Sequence, residues 1–359
     1  MLKKNLFEIN NYKIFFISIL ICVLFFYFER LIGIDQFYHP DSLYYLKKHE
    51  TYSHFVNNPG RILFTGYYYL ARILNYDYLN LIILNFILFG LTNLLVYNLV
   101  LKKNFLSLNK FQIFLLSTIL FFDPYRLHLT GHVLKETILI FLILSFLYFK
   151  SFFLKVIFLF ISIFIKKNII FYYLIFYTDD LVKRFFNIKN KIIYIYTAIL
   201  ITIFIFLFFY RFETFGGEYF SIFNYFVGSS VSFLETLEFW HYRDMSGRAY
   251  DNIPNFQNVS FPLALFFKIT VWPLLIFSGF FLFFTDYFLL KILGFMMIYF
   301  NIVIFYLTKK SYLSIGLAIL LILISLYSTT FTSYFRYSYV AIYCSIVFFL
   351  NNLFECQKN

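Results

Sequence analysis

The sequence predicts an all-α polytopic membrane protein with about ten transmembrane helices, roughly eight to twelve. Three observations carry that prediction. The chain is 62% hydrophobic over 359 residues, whereas soluble domains are about half apolar. Its long runs, among them Ile14–Tyr27, Leu79–Tyr97, Ile138–Tyr148, Ile192–Tyr210, Ile292–Leu307 and Leu313–Tyr327, hold few or no charges. About 20 such residues span a bilayer as a helix. Lysines gather between the runs, where the positive-inside rule puts cytoplasmic loops.

The elements follow in order. Lys3, Lys4 and Lys13 precede a first helix over about 12–33, so the N-terminus is expected to be cytoplasmic. That helix lacks a small-residue cleavage site and is long enough to stay as an anchor. Residues 34–60 form a first outer loop. Residues 62–75 are Tyr-rich and moderately apolar, as suits an interfacial or re-entrant helix. A span over about 78–101 returns to Lys102-Lys103 inside; residues 111–122 go out, and 134–149 come back to Lys150 and Lys155. A short pair, 152–165 and 169–180, turns at Lys166-Lys167, and the basic run 183–191 reads as cytoplasmic. Residues 192–210 cross outward to the longest polar segment, a large outer loop at 211–260. Pro262 and Pro273 break or kink 261–285, leaving 287–308, 312–330 and 334–352 as the last three spans. No repeat, linker or soluble domain interrupts this pattern, so residues 1–359 read as a single integral membrane domain.

The formal net charge of +12 would raise nucleic acid as a partner for a soluble protein. Here membrane lipid and topology account for it, and no nucleic acid is implied. Cys22, Cys344 and Cys356 are scattered and have no zinc-type spacing. The 57 Phe and 33 Tyr, with the Ile/Asn/Lys bias, fit an AT-rich gene, so single aromatics carry little weight.

One stretch stands apart: Asp123-Pro-Tyr-Arg-Leu-His-Leu-Thr-Gly-His-Val-Leu-Lys-Glu136, between two apolar runs. It carries Asp123, Arg126, His128, His132, Lys135 and Glu136. Charge beside hydrocarbon is costly and gathers where it acts. On the expected topology His39, His49, His54, His128, His132 and His241 all lie outside, with Arg30, Arg61, Arg72, Arg126, Arg211, Arg243, Arg248 and Arg336. Topology needs only positive charge, and Lys supplies it inside. Arginine on the translocated side therefore asks for another reason, and its planar fork of donors matches phosphate. Arg126, Lys135, His128, Arg248, Arg336, Arg61 and the outer pair Lys166 and Lys167 are the candidate contacts to an anionic substrate or its glycan. Asp123, Glu136 and His132 are the candidate proton-transfer groups. Pairing of Arg126 and Lys135 with Asp123 and Glu136 is an equally good reading of those four. His128 and His132, four apart, have the spacing of two metal ligands on one helix face. With no HExxH and no third ligand evident nearby, hydrogen-bonding roles are preferred for them, and no metal is expected. The 211–260 loop reads first as a solvated loop; its Glu235, Glu238, Trp240 and Tyr242 are also residue types that bind sugars.

These features resemble the bacterial O-antigen polymerases. The resemblance rests on Asp123–Glu136 between two spans, the large outer loop ending Ser246-Gly-Arg-Ala-Tyr-Asp-Asn-Ile-Pro254, Lys268-Ile-Thr-Val-Trp-Pro273, and Thr332-Ser-Tyr-Phe-Arg-Tyr337 before the last span. It covers most of the chain in outline, and the first and last stretches are the most specific. Where the family pattern leads one to expect a lone basic residue in the middle pair of spans, this chain has Lys166-Lys167. The resemblance implies a multi-pass protein of the bacterial inner membrane with its active site facing the periplasm. It would transfer a growing glycan from its lipid diphosphate to the next polyprenyl-diphosphate-linked oligosaccharide, with no nucleotide sugar, obligatory metal or other cofactor. A chain-length regulator and a flippase of the same pathway are the implied partners. Two alternatives stand beside it. One is another C-type glycosyltransferase using a polyprenyl-phosphate sugar donor, with Asp35 or Asp41 as its loop acid. The other is a lipid-linked oligosaccharide flippase, which would bury charges mid-span and repeat its spans.

Overall fold

The computed structural model describes residues 11–36, 39–46, 66–102, 120–166, 169–173 and 331–356, with isolated positions and two short strands between 117 and 324. Among them the elements are α1 (Asn11–Leu31), α2 (Pro40–Leu46), α3 (Gly66–Ile73), α4 (Tyr78–Val96), α5 (Pro124–Thr130), α6 (Glu136–Tyr148), α7 (Phe152–Ile165) and α8 (Phe331–Cys356). A π-helical turn, Tyr97–Leu101, extends α4. Apart from one two-residue ladder, in which Phe212 and Glu213 pair antiparallel with Phe220 and Tyr219, the described structure is helical. The expected spans at 192–210, 287–308 and most of 111–122 and 312–330 lie outside the described residues, as does most of the 211–260 loop.

Among the described residues, two helices are long and apolar enough to cross a membrane: Asn11–Leu31, of 21 residues, and Tyr78–Leu101, of 24. At 1.5 Å per residue each reaches about 30 Å or more, the thickness of the hydrocarbon layer. Helices α6 and α7, of 13 and 14 residues, are apolar but shorter. The Tyr-rich 62–75 stretch forms the short helix α3.

The chain divides into two compact units, one of residues 1–55, 64–166 and 346–359, the other of 56–63 and 167–345. In the first, α1 lies along α4, and α4 along α6. Helix α1 has two faces. Phe16, Leu20, Leu24, Phe28 and Leu31 are exposed, as for a face turned to lipid, while Ile14, Ser18, Cys22 and Glu29 are buried. Within that stripe Ser18 and Cys22 are small, and α4 approaches closely there. Asn93 Nδ2 donates to Ser18 Oγ at 2.9 Å, and a Cβ on Gly90 would sit 2.9 Å from the Phe15 ring. Small residues at helix crossings serve membrane packing, where lipid offers no hydrophobic drive. Gly90→Leu should therefore separate α1 from α4 and cost about 1–3 kcal/mol by overpacking. Thermal unfolding in detergent checks this; a variant melting with the wild type would show that the crossing tolerates bulk.

Candidate functional site

Helix α1 ends at a glycine. Gly33 adopts φ 86°, which favours a residue without Cβ, and Ile34 N–H closes back on Glu29 O at 2.9 Å. This turn sends the chain back towards α2, with His39 just before its first residue. The expected first outer loop, 34–60, thus includes a helical piece.

The Asp123–Glu136 stretch folds as the seven-residue helix α5, a turn, and the start of α6. Local chemistry explains α5. Asp123 is its N-cap, accepting from Tyr125 N at 2.9 Å and Arg126 N at 3.5 Å. Pro124 occupies the first turn, where no donor is needed. The stretch is buried rather than surface-lying: Asp123, Arg126, His128, His132 and Glu136 are all nearly inaccessible, and Lys135 is partly exposed. Non-regular backbone of this kind is tolerated in a membrane protein when protein surrounds it.

Helix α4 holds the stretch with one face. Asn85, Phe89 and Asn93 recur every four residues. Asn85 Nδ2 donates to His132 O at 2.8 Å. The Arg126 guanidinium lies over the Phe89 ring at 4.0 Å, donates to Leu120 O at 2.8 Å, and donates to Asn93 Oδ1. Arg126, expected as a phosphate contact, is thus engaged with backbone, amide and ring. Asp123, expected as a proton-transfer group, has an oxygen engaged in capping.

A second set of residues converges on the two stretch histidines. His128 Nδ1 meets Glu29 Oε1 at 2.5 Å, and His132 Nε2 lies 3.7 Å from Glu29 Oε2. His39 Nε2 is 2.8 Å from His128 Nε2. The three imidazole centroids form a triangle with sides of 4.6, 5.0 and 5.0 Å. Arg30 borders this centre, donating to Ile34 O at 2.5 Å, Tyr78 Oη at 2.8 Å and Gly131 O at 3.3 Å. Burial pushes the His132 imidazole well below its usual range, and the charges of His128 and Arg30 act the same way. Its neutral form is therefore favoured. Tyr67 is raised by burial first and by the Glu136 carboxylate second, so its phenol stays protonated beside that acid.

Among the expected site residues, the structure therefore brings together His128 and His132, with Arg126, Lys135, Asp123 and Glu136 on the same short stretch. Lys166 is buried at the end of α7. Arg336 is buried in α8 within the second unit, its NH2 donating to Tyr337 Oη at 3.3 Å. Arg61, Lys167 and Arg248 lie outside the described residues. The sequence reading missed Glu29, His39, Asn85 and Asn93 as site residues. A signal for three of them was present: Glu29, Asn85 and Asn93 are polar positions within or at the end of apolar runs, where each must be satisfied by a partner.

The chain matches no family model, no curated protein and no solved structure.

Proposed function

We propose that this protein is a membrane glycosyltransferase of the O-antigen polymerase kind, joining polyprenyl-diphosphate-linked oligosaccharide units on the periplasmic face of the bacterial inner membrane. The observation that carries this reading is the buried Glu29–His128–His39 array, with His132, set where α1 ends and α5 gives way to α6. A carboxylate, three imidazoles and an arginine gathered beside membrane-length apolar helices cost stability, and such groups are kept for function.

The proposed reaction needs three things. An acceptor sugar hydroxyl must lose its proton; carboxylate and imidazole centres promote this directly or through a bound ion. Its oxygen then forms a bond to the anomeric carbon of the donor glycan as the bond to the diphosphate breaks. The departing diphosphate carries the new negative charge, which cationic side chains stabilise. Lys135, the N-cap residue of α6 and partly exposed, is the proposed cation of the first unit, and Arg336 is proposed on its own account in the second. An apolar surface such as the exposed face of α1 suits the polyprenyl tail.

The test is a gene deletion complemented by Lys135→Ala or Arg336→Ala, with the surface polysaccharide displayed by size. Deletion should leave single repeat units and no ladder. Each variant should shorten or abolish the ladder at wild-type membrane abundance, by about 10-fold or more in extension rate. A normal ladder in the deletion strain would sink the polymerase reading. Substituting Asp35 and Asp41 adds an arm: severe loss there, with Lys135 and Arg336 dispensable, would favour a polyprenyl-phosphate donor instead.

A further inference from the structure

We infer that His39, His128 and His132 are the ligands of a first-row transition-metal dication, with Zn²⁺ the reference ion, and that Glu29 is the carboxylate that orients the site. The inference deepens the reading above and rests on it only for the identity of the substrate oxygen that would complete the coordination.

The geometry begins with convergence. His39 comes from the segment after α1, and the other two from α5 and the turn behind it, 89 residues away for the closest pair. One ring nitrogen from each lies within 4.8 Å of the others, and all three residues are buried. Tetrahedral zinc with Zn–N distances of about 2.0–2.1 Å sets its nitrogen ligands about 3.3 Å apart. The close His39–His128 pair, at 2.8 Å, must open by about half an ångström and the third ring must turn inwards. Both are side-chain rotations.

The orientation of His128 is the second observation. Its Nδ1–H donates to Glu29 Oε1. That leaves the Nε2 lone pair directed at the point His39 Nε2 faces. Metal-bound histidines are held this way, the remote N–H donated to a carboxylate that fixes the tautomer and raises ligand basicity. Glu29 Oε2 is the third observation. It is buried, makes no hydrogen bond among the described residues, and lies 3.7 Å from His132 Nε2. A buried carboxylate with one oxygen on His128 and the other beside His132 brings negative charge to the edge of the histidine cluster.

Donor chemistry selects the ion class. Three imidazoles suit zinc, copper, iron or nickel rather than calcium or magnesium, which prefer oxygen. Three protein ligands leave a fourth position open, as catalytic rather than structural zinc sites do. Arg30 opposes a cation here, but Glu29 offsets its charge, and its donors are directed at Ile34 O, Tyr78 Oη and Gly131 O. The remaining positive charge of a bound dication favours an anionic or deprotonated oxygen as the fourth ligand.

The experiment uses the full-length chain in detergent, stripped by chelator and titrated with ZnCl₂, and in parallel with CoCl₂, whose absorption spectrum reports ligand type. The expected result is one equivalent of Zn²⁺ per chain and a Co²⁺ spectrum without a thiolate band. Glu29→Gln should weaken Zn²⁺ binding by about 10–100-fold, and His39→Asn at least as much. If the variants do not stay monodisperse, the wild-type stoichiometry and Co²⁺ spectrum decide. A monodisperse wild-type chain that takes up neither ion overturns the site and leaves a hydrogen-bonded relay only. A folded His39→Asn chain that binds as tightly as wild type also overturns it. Binding and function separate cleanly. A chain that binds one ion but extends no glycan keeps the site and loses the polymerase reading. A chain that extends glycan without binding an ion does the reverse.

Discussion

If the proposed polymerase function holds, Glu29→Gln should sharply reduce glycan chain extension while the chain still reaches the membrane at wild-type abundance. This is the expected outcome because the substitution keeps the volume and removes the charge. Glu29 is fully buried at the end of α1 and meets His128 Nδ1 at 2.5 Å. A carboxylate there accepts only, so it holds His128 in one tautomer, with Nε2 turned into the histidine cluster. A carboxamide presents either an oxygen of weaker basicity or an N–H that opposes the imidazole N–H. Loss of the carboxylate that orients such a histidine centre costs about 10–100-fold in activity. The measurement is extension of lipid-linked repeat units by purified protein, beside the polysaccharide ladder in cells. A Gln variant that builds full-length polymer at wild-type rate would show that the buried array has no part in the chemistry. His128→Asn is the companion variant and should fail to the same degree.

Arg126→Ala should destabilise the first unit by about 3–5 kcal/mol. The side chain is 2% exposed. Its removal takes a donor from Leu120 O and from Asn93 Oδ1, at about 1–3 kcal/mol each when buried, and deletes a desolvated contact with Phe89 of up to about 2 kcal/mol. Denaturant titration in detergent measures the loss. Labelling of Cys22, a buried free cysteine on the facing stripe of α1, reports opening of the same unit. Combining the change with Asn93→Ala should cost less than the sum of the two, by about 1–2 kcal/mol, since they share one hydrogen bond. The phosphate-contact reading predicts a different pattern, with Arg126→Ala as stable as wild type but inactive. That result would return the guanidinium to the substrate.

The helices were legible where a long uniform apolar run made them so. The expected spans 12–33 and 78–101 correspond to Asn11–Leu31 and Tyr78–Leu101, and 152–165 to Phe152–Ile165. Backbone groups in such runs have no alternative to helical hydrogen bonding, so composition suffices. The importance of Asp123–Glu136 was legible from charge density. The roles within it were not. The Asp-Pro pair carries a local cap signal, yet a carboxylate there was read as a proton-transfer candidate. The cap is visible from residues three apart, whereas the choice between capping and catalysis depends on what else comes near.

What the sequence by itself determined is the helical character, the membrane-length helices and the place where ionisable groups concentrate. These follow from hydrophobicity and propensity, which act over one or two turns of chain. What only the tertiary structure decided is the company those groups keep. His128 and His132 advertise themselves by a spacing of four, but their partners are Glu29, at the end of a helix about a hundred residues earlier, and His39, beyond the turn at Gly33. Asn85 and Asn93 are single amides in an apolar run until α4 sets them against His132 O and Arg126. Burial raises the cost of leaving any of these groups unpaired. The pairing is therefore strongly specified, but by packing between helices distant in the chain, which one-dimensional spacing does not record.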